Sequence, residues 1–283
     1  MYQGRFAPTP SGRLHLGSLL AAACAYMRAK QQGGLCFLRL EDLDKPRCRE
    51  EYKQGILEDL DRLGLHFDGE PLIQTEDLSY YQNSIDNLIA TGKTFVCACT
   101  RRQIRERPCT CRERGLKYRR GFAIKLDCEE AERTFTDERL GSIYVPLLPE
   151  SLTLRRSDNI ISYNLACVTD DIRQGITEVV RGSDLISSTP LQIYIYKLLG
   201  AKPPKFLHLP LITSKDGSKL SKQNHAMAVL DSHSPRDAVL YVLTLLNQDI
   251  SGCSALTPAE IWPLAAKRFD LNALPKGDIE LDA

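Results

Sequence analysis

The first eighteen residues restrict the possible folds of this chain more than any other segment. An apolar stretch leads into RFAPTPSG at 5–12 and then HLGS at 15–18. Proline and glycine favour a tight turn, and the Ala- and Leu-rich run at 19–30 favours a helix after it. Backbone N–H groups at a helix start bind phosphate, and Gly17 lets a ligand approach closely. The segment predicts a nucleotide site, although an ordinary capped helix with a surface histidine fits the same four letters.

A second phosphate-type element lies about two hundred residues further on, in the run GSKLSKQ at 217–223 after a strand-like run at 206–212. A lysine-rich loop is usually a solvated surface loop, but two such elements in this order are far more specific. They resemble the His-Ile-Gly-His and Lys-Met-Ser-Lys-Ser signatures of the class I aminoacyl-tRNA synthetases. The resemblance implies that Lys222 stabilises the transition state of adenylate formation. It implies ATP contacts from His15, Gly17, Ser18, Lys219 and Lys222, with His15 and Lys222 as the catalytic residues.

The motifs between these signatures resemble the catalytic core of the glutamyl-tRNA synthetases over about the first 230 residues. They are RFAPTPSG at 5–12, RLEDLD at 39–44, YNLA at 163–166 with Asp170 and Asp171, and VRGSDL at 180–185. Three features resemble the truncated glutamyl-Q tRNA(Asp) synthetase branch. Only about sixty residues follow Lys222, where a larger synthetase has an anticodon-binding domain; the first signature ends in Ser18; and the loop reads KLSKQ.

The resemblance implies an enzyme that activates L-glutamate with ATP in the absence of tRNA. It would then attach the glutamate to the queuosine base of tRNA(Asp). Two alternatives remain open. One is a truncated glutamyl-tRNA synthetase that charges a tRNA 3′ end, and the other is a catalytically silent module that binds zinc and RNA. Mg²⁺ would arrive with ATP, held mostly by phosphates and water.

Strand-like runs alternate with helical stretches, which is the pattern of a parallel sheet covered by helices. We expect strands at 2–7, 35–40, 162–168, 178–181 and 206–212. The prediction is a Rossmann-type α/β catalytic domain in two halves, with an inserted zinc-containing subdomain and a short helical C-terminal region. Its parts are 1–93 and 151–230 for the catalytic halves, 94–150 for the insertion, and 231–283 for the helical region, with a loose tail from 274.

Charge indicates how an amino-acid pocket would be built. Glutamate carries two carboxylates and one ammonium, so a selective site needs guanidinium donors and a fixed acid. By resemblance, Arg5 and Arg181 hold substrate carboxylate and Glu41 meets the α-ammonium. The remaining predicted glutamate contacts are Ala7, Thr9 and Tyr163. For each charged residue the ordinary alternative is a surface ion pair.

Two cysteine pairs, Cys97-x-Cys99 and Cys109-x-Cys111, are the second informative cluster. Four thiols can converge on one tetrahedral Zn²⁺, which would be structural because no coordination position stays open for water. Four free thiols or a disulfide are the alternative. Glutamyl-Q synthetases can bind zinc through Cys-x-Cys, a tyrosine and a later cysteine, so Tyr118 competes with Cys109 for one position.

Charge is concentrated around these cysteines. Nine Lys or Arg residues lie within 101–120 against Glu106 and Glu113, while the whole chain has a net charge of +1. This basic segment predicts a contact with the phosphate backbone of RNA. The alternative is that the cations neutralise a dianionic zinc–thiolate centre. Ten cysteines in a chain of this length and the lack of an apolar run of eighteen residues lead us to expect a cytoplasmic monomer with reduced thiols and no membrane contact.

Overall fold

The computed structural model describes residues 1–214 and 228–281. Its strands in chain order are β1 (Gln3–Phe6), β2 (Leu35–Leu40), β3 (Leu72–Ile73), β4 (Thr94–Cys97), β5 (Ala123–Asp127), β6 (Thr134–Asp137), β7 (Gly141–Tyr144), β8 (Ser151–Arg155), β9 (Glu178–Gly182), β10 (Lys205–Leu209), β11 (Ile212–Ser214) and β12 (Ile279–Leu281). Its helices are α1 (Leu16–Gln31), α2 (Glu50–Arg62), α3 (Leu78–Ala90), α4 (Arg101–Glu106), α5 (Tyr163–Arg173), α6 (Thr189–Leu198), α7 (Val229–Ser232), α8 (Pro235–Leu245) and α9 (Pro258–Arg268).

Two mainly parallel sheets meet at the centre of the molecule. One has the order β1-β2-β3 and the other β7-β6-β10-β9, with only β7 antiparallel to its neighbour. The backbone N–H of Thr177, just before β9, donates to the carbonyl of Gln3 in β1 at 2.8 Å, so the sheets join edge to edge. Chain order reverses at this junction. In open α/β sheets, ligands bind at such a reversal, beyond the carboxyl ends of the strands.

Helix α1 can pack closely on this junction because its buried face is built from small side chains. Ala22, Ala23, Ala25 and Ala29 are all buried. The C-terminal helices pack on its other side in the same hydrophobic cluster. The indole N–H of Trp262 in α9 donates to the carbonyl of Leu63 at 2.7 Å, which fixes α9 to the end of α2.

A separate antiparallel sheet, β4-β5-β8, carries the cysteine segment. The strand pairing runs across the domain boundaries expected from the sequence. Strand β8 begins at 151, beyond the expected insertion, whereas β6 and β7 lie within 94–150. Strand β6 pairs with β10 of the central sheet, and β7 pairs with β6. Residues 134–144 of the expected insertion therefore belong to the central sheet.

Two local expectations were wrong. The segment 162–168 is a helix, α5, because its apolar run is buried on nearly every side, and a fully buried helix lacks the periodicity that would separate it from a strand. The tail is not loose over Ile279–Leu281, since β12 pairs in parallel with β11. The expectation of a parallel-sheet α/β fold is confirmed. Among the described residues, no helix is both long and apolar enough to cross a bilayer.

Candidate active site and cysteine cluster

Two cavities open at the carboxyl ends of the central strands. The larger, about 800 Å³, reaches from Glu41 and Tyr163 to Cys97 and Cys99 at the base of the cysteine segment. The smaller, about 290 Å³, lies over the start of α1. Thr9, in the turn after β1, lines both cavities. A ligand in one cavity and a ligand in the other would therefore meet at this turn.

The smaller cavity is lined by five of the residues predicted to contact substrate: Ala7, Thr9, His15, Gly17 and Ser18. His15 is the N-cap of α1, where its Nδ1 accepts the backbone N–H of Ser18 at 3.2 Å. Ser18 Oγ lies 3.0 Å from His15 Nε2. A side chain at Gly17 would place its Cβ 3.3 Å from the His15 ring, which would have to shift slightly to admit it. Lys219 and Lys222 lie outside the described residues.

Arg5, in β1, belongs to a buried ion network. Its Nε donates to Asp171 at 3.0 Å, and Arg39 Nη1 donates to the same carboxylate oxygen at 2.7 Å. Burial opposes ionisation of Asp171, but Arg39 and Arg5 hold its pKa below the ordinary value. Arg5 also donates to the carbonyl of Val180 in β9 at 3.3 Å. The charge of Arg5 is thus already balanced within the protein.

Arg181, in β9, is also buried but has a different set of partners. Its guanidinium donates to His208 Nε2 at 3.2 Å, Gln192 Oε1 at 2.7 Å and Thr189 Oγ1 at 2.8 Å. All three acceptors are uncharged groups, and Arg181 forms no ion pair within the part of the chain that the structure describes. An arginine that is only 5% exposed is seldom left without a carboxylate. Arg181 is not among the lining residues of either cavity, although Gly182, the next residue, lines the smaller one. Of the two buried arginines, Arg181 is the one to which a substrate carboxylate would add the most.

Glu41 and Tyr163 lie on the wall of the larger cavity. Glu41 follows β2 and accepts a hydrogen bond from Arg39 Nε at 3.4 Å. Burial raises its pKa although Arg39 and Arg5 act in the opposite direction. An ammonium group beside Glu41 would favour the ionised carboxylate. Tyr163 opens α5 and is partly exposed.

The four cysteines come together as the spacing predicted. Their Sγ atoms all lie within 4.8 Å of one another. Three of the sulfur distances are 3.7 Å for Cys97–Cys109, 3.8 Å for Cys99–Cys109 and 3.5 Å for Cys99–Cys111. Four thiolates at 2.3 Å around one zinc ion would lie about 3.8 Å apart, so the donor set fits Zn²⁺.

The thiols of this cluster differ in acidity. Burial raises the pKa of the Cys99 thiol to about 12. At Cys111 burial acts in the same direction, but hydrogen bonds from the Ala98 backbone and the neighbouring thiols outweigh it and lower the pKa to about 7. Tyr118 points elsewhere, since its hydroxyl donates to Asn159 at 3.3 Å and its ring packs against Arg155. The cluster has four sulfur donors without it.

The basic segment around the cluster is exposed to solvent. Arg112 is held by Asp127 and Glu129, and Arg102 pairs with Glu106 at 2.7 Å. Within the described part of the chain, the other cations of this segment whose side chains are defined form no ion pair. They are Arg105, Arg107, Arg114, Lys117, Arg119 and Arg120.

The residues that support the two arginines were not predicted from the sequence. Asp171 belongs to a motif that gave it no role, and the same holds for Arg39. His208 and Asp137 carry no sequence signal at all, because a single histidine in an apolar run usually indicates a core position. Gln192 and Thr189 begin an unremarkable helix. Their roles depend on contacts across 8 to 166 residues of chain, which spacing alone does not reveal.

Comparison with known proteins agrees with this geometry. The family model described as tRNA synthetases class I (E and Q), catalytic domain, matches residues 2–122 and 113–260. The glutamyl-Q tRNA(Asp) synthetase of Vibrio parahaemolyticus is 43% identical over 99% of this chain and 96% of its own length. The protein of the same name from Chromobacterium violaceum is 36% identical over 99% of this chain and 98% of its own length.

Two solved structures share the fold. A glutamate tRNA ligase from Elizabethkingia meningosepticum, in complex with its amino acid, superposes with a TM-score of 0.80 at 23% identity, over 99% of this chain. The chain spans 66% of that protein. The glutamate-tRNA synthetase of Elizabethkingia anophelis gives a TM-score of 0.82 at 22% identity, over all of this chain and 68% of the other. At this level of identity the likeness establishes the architecture.

Proposed function

Because the chain belongs to the glutamyl-Q tRNA(Asp) synthetases, a branch of the class I tRNA synthetase ligases, we propose that it activates glutamate with ATP and transfers it to the queuosine base of tRNA(Asp). The observation that carries the glutamate assignment is Arg181, a buried cation without a carboxylate among the described residues. Glu41, beside the larger cavity, supplies the opposite charge for an ammonium group. Glutamate offers both complements in one molecule.

In the first step, the α-carboxylate of glutamate attacks the α-phosphorus of ATP. A bond forms between a carboxylate oxygen and phosphorus, and the bond to pyrophosphate breaks. The residues around the smaller cavity would orient the phosphates through the start of α1 and through His15. Lys222 would stabilise the charge that develops as pyrophosphate leaves. Positioning and charge account for the chemistry, so the step needs no protein nucleophile.

In the second step, a hydroxyl of the queuosine cyclopentenediol attacks the carbonyl carbon of the adenylate. An ester bond forms, AMP leaves, and the hydroxyl proton is released to solvent or to the AMP phosphate. The larger cavity supports this assignment because it runs from Glu41 to the base of the cysteine segment. The exposed cations of that segment suit an RNA backbone.

The four cysteines would hold one structural zinc ion. When bound, the ion would cross-link the segment and supply charge that balances the thiolates. Cys97 and Cys99 line the larger cavity but are not among the residues expected to contact glutamate or ATP, so the metal's role would be to shape the RNA-facing segment. Mg²⁺ would enter with ATP.

Glutamate-dependent ATP–pyrophosphate exchange in the absence of RNA tests the first step. The proposal requires exchange with glutamate and much less with glutamine, whose neutral amide cannot satisfy Arg181. No exchange without RNA would contradict it.

The acceptor is tested separately with two RNAs. One is queuosine-containing tRNA(Asp) trimmed at its 3′ end, and the other is an intact transcript without the modification. We expect labelled glutamate on the first and none on the second. The reverse result would identify an enzyme that charges the 3′ end.

A further inference from the structure

We propose that His208 and Asp137 position Arg181 for the substrate carboxylate without neutralising it, and thereby set the preference for glutamate over glutamine. The inference rests on the proposed glutamate activation and adds two positioning residues to it. Neither residue needs to touch the substrate. They would act through the orientation of one guanidinium group.

The strand register brings His208 to Arg181. The two residues are direct partners in the parallel pairing of β10 with β9. Arg181 Nε donates to His208 Nε2 at 3.2 Å, while its two terminal nitrogens donate to Gln192 and Thr189. A guanidinium has five N–H donors. Three are thus directed to fixed neutral acceptors, and two remain for a ligand.

Asp137, at the end of β6, fixes the protonation pattern of His208. Its Oδ2 lies 2.8 Å from His208 Nδ1 and accepts the backbone N–H of His208 at 2.9 Å. Its Oδ1 accepts the backbone N–H groups of Arg139 and Leu140 at 3.0 and 2.9 Å. Burial opposes ionisation of Asp137, but these hydrogen bonds hold its pKa below the ordinary value. An ionised Asp137 requires the proton on Nδ1, so Nε2 presents its lone pair to Arg181.

His208 itself is fully buried between aromatic rings. Its ring stacks on Phe206 with centroids 6.2 Å apart and meets Phe135 edge-on at 5.8 Å. Burial lowers its pKa, so the ring stays neutral. The neutral imidazole of His208 therefore lies between the carboxylate of Asp137 and the guanidinium of Arg181. A carboxylate in direct contact, such as Asp171 at Arg5, would occupy the guanidinium; a neutral ring orients it and leaves its charge available.

Two substitutions at His208 separate this role from a structural one. The amide of His208→Gln can place an oxygen where Nε2 lies, and the shorter His208→Asn can replace only Nδ1. We expect His208→Gln to keep the KM for glutamate close to that of the wild type. His208→Asn should raise it on the order of tenfold, the cost of one charged hydrogen bond. In both variants the KM for ATP and kcat should stay near the wild-type values.

The measurement is pyrophosphate exchange with glutamate, glutamine and ATP varied in turn. The ratio of kcat/KM for glutamate to that for glutamine should fall in His208→Asn. It should also fall in Asp137→Asn, because the new amide N–H₂ would face N–H groups that Asp137 now accepts from. The proposal would be overturned if His208→Asn kept the wild-type KM for glutamate and His208→Gln did not. That result would mean that the contact of residue 208 with Asp137 matters and its contact with Arg181 does not. Equal values of the KM for glutamate in both His208 variants would also overturn it. If the wild-type protein shows no glutamate-dependent exchange, the proposed function has failed instead.

Discussion

In β1 and β9 the charged side chains are buried, and nearly all of them have hydrogen-bond or ion-pair partners within the protein. In the cysteine segment, by contrast, the cations are exposed to solvent and the four thiols face one another. In the first region one carboxylate, that of Asp171, accepts hydrogen bonds from both Arg5 and Arg39. Most cations of the basic segment whose side chains are defined have no ion-pair partner within the described residues. A preformed pocket suits a small substrate of fixed charge, while an open cationic surface suits a polyanion that brings its own charges.

The strongest test of this contrast removes the central anion of the buried ion network, Asp171. Asp171→Asn leaves Arg5 buried without its carboxylate, while Arg39 keeps Glu41 and Asp170 nearby. Loss of one partner of a buried ion pair costs about 3–5 kcal/mol. The free energy of unfolding, measured in denaturant, should fall by that amount. The matched control is Asp158→Asn, which removes an exposed partner of Arg156 and should leave stability nearly unchanged. Equal effects of the two variants would remove the distinction between the regions.

Lys222→Ala should separate the chemical step from RNA binding. The role proposed for Lys222 is charge stabilisation as pyrophosphate leaves, and its loss should slow exchange by about a hundredfold or more. The affinity for tRNA, measured by filter binding, should change little. Lys197→Ala, which removes an exposed partner of Glu132, is the control and should retain full exchange. A wild-type rate in Lys222→Ala would exclude the assigned role.

Removal of the proposed metal ligands should have the opposite effect, with transfer to RNA impaired and glutamate activation retained. Elemental analysis should find about one zinc per chain, and Cys97→Ser with Cys99→Ser should release it. Transfer to RNA should then decline several-fold while exchange with glutamate continues. Cys48→Ser, outside the cluster, serves as the control. Wild-type protein without zinc after purification free of chelators would contradict this prediction, and so would loss of exchange and transfer in parallel.

The smallest expected effect concerns two arginines of the basic segment, which we propose face the RNA phosphates. Arg119→Ala with Arg120→Ala should weaken RNA binding a few-fold and reduce the slope of log K against log salt by about 2, one for each arginine removed. Arg102→Ala is the matched control, because Arg102 is already paired with Glu106. A slope unchanged by the double variant would place the RNA elsewhere.

The sequence was sufficient to predict those parts of the molecule whose structure depends on short, contiguous segments. The turn after β1, helix α1 and the two cysteine pairs each have local signals, and the structure brings the four thiols together. The sequence could not show that Arg5 is paired with a carboxylate and Arg181 is not, because both are single arginines within predicted strands. Their difference arises from Asp171 and His208, contributed by other elements. The same limit explains α5, where burial on nearly all sides removed the periodicity that identifies a helix.

The order of the central strands also determines when the pocket exists during synthesis. Arg5 and Asp171 are 166 residues apart, and Asp137 and His208 are 71 apart. Because translation proceeds from the N-terminus, Arg5 leaves the ribosome long before its counterion does, and Arg181 emerges before the histidine that orients it. Long-range pairings of this kind close late in folding. A nascent chain that ends between Arg181 and His208 therefore has both arginines but lacks the imidazole that contacts Arg181.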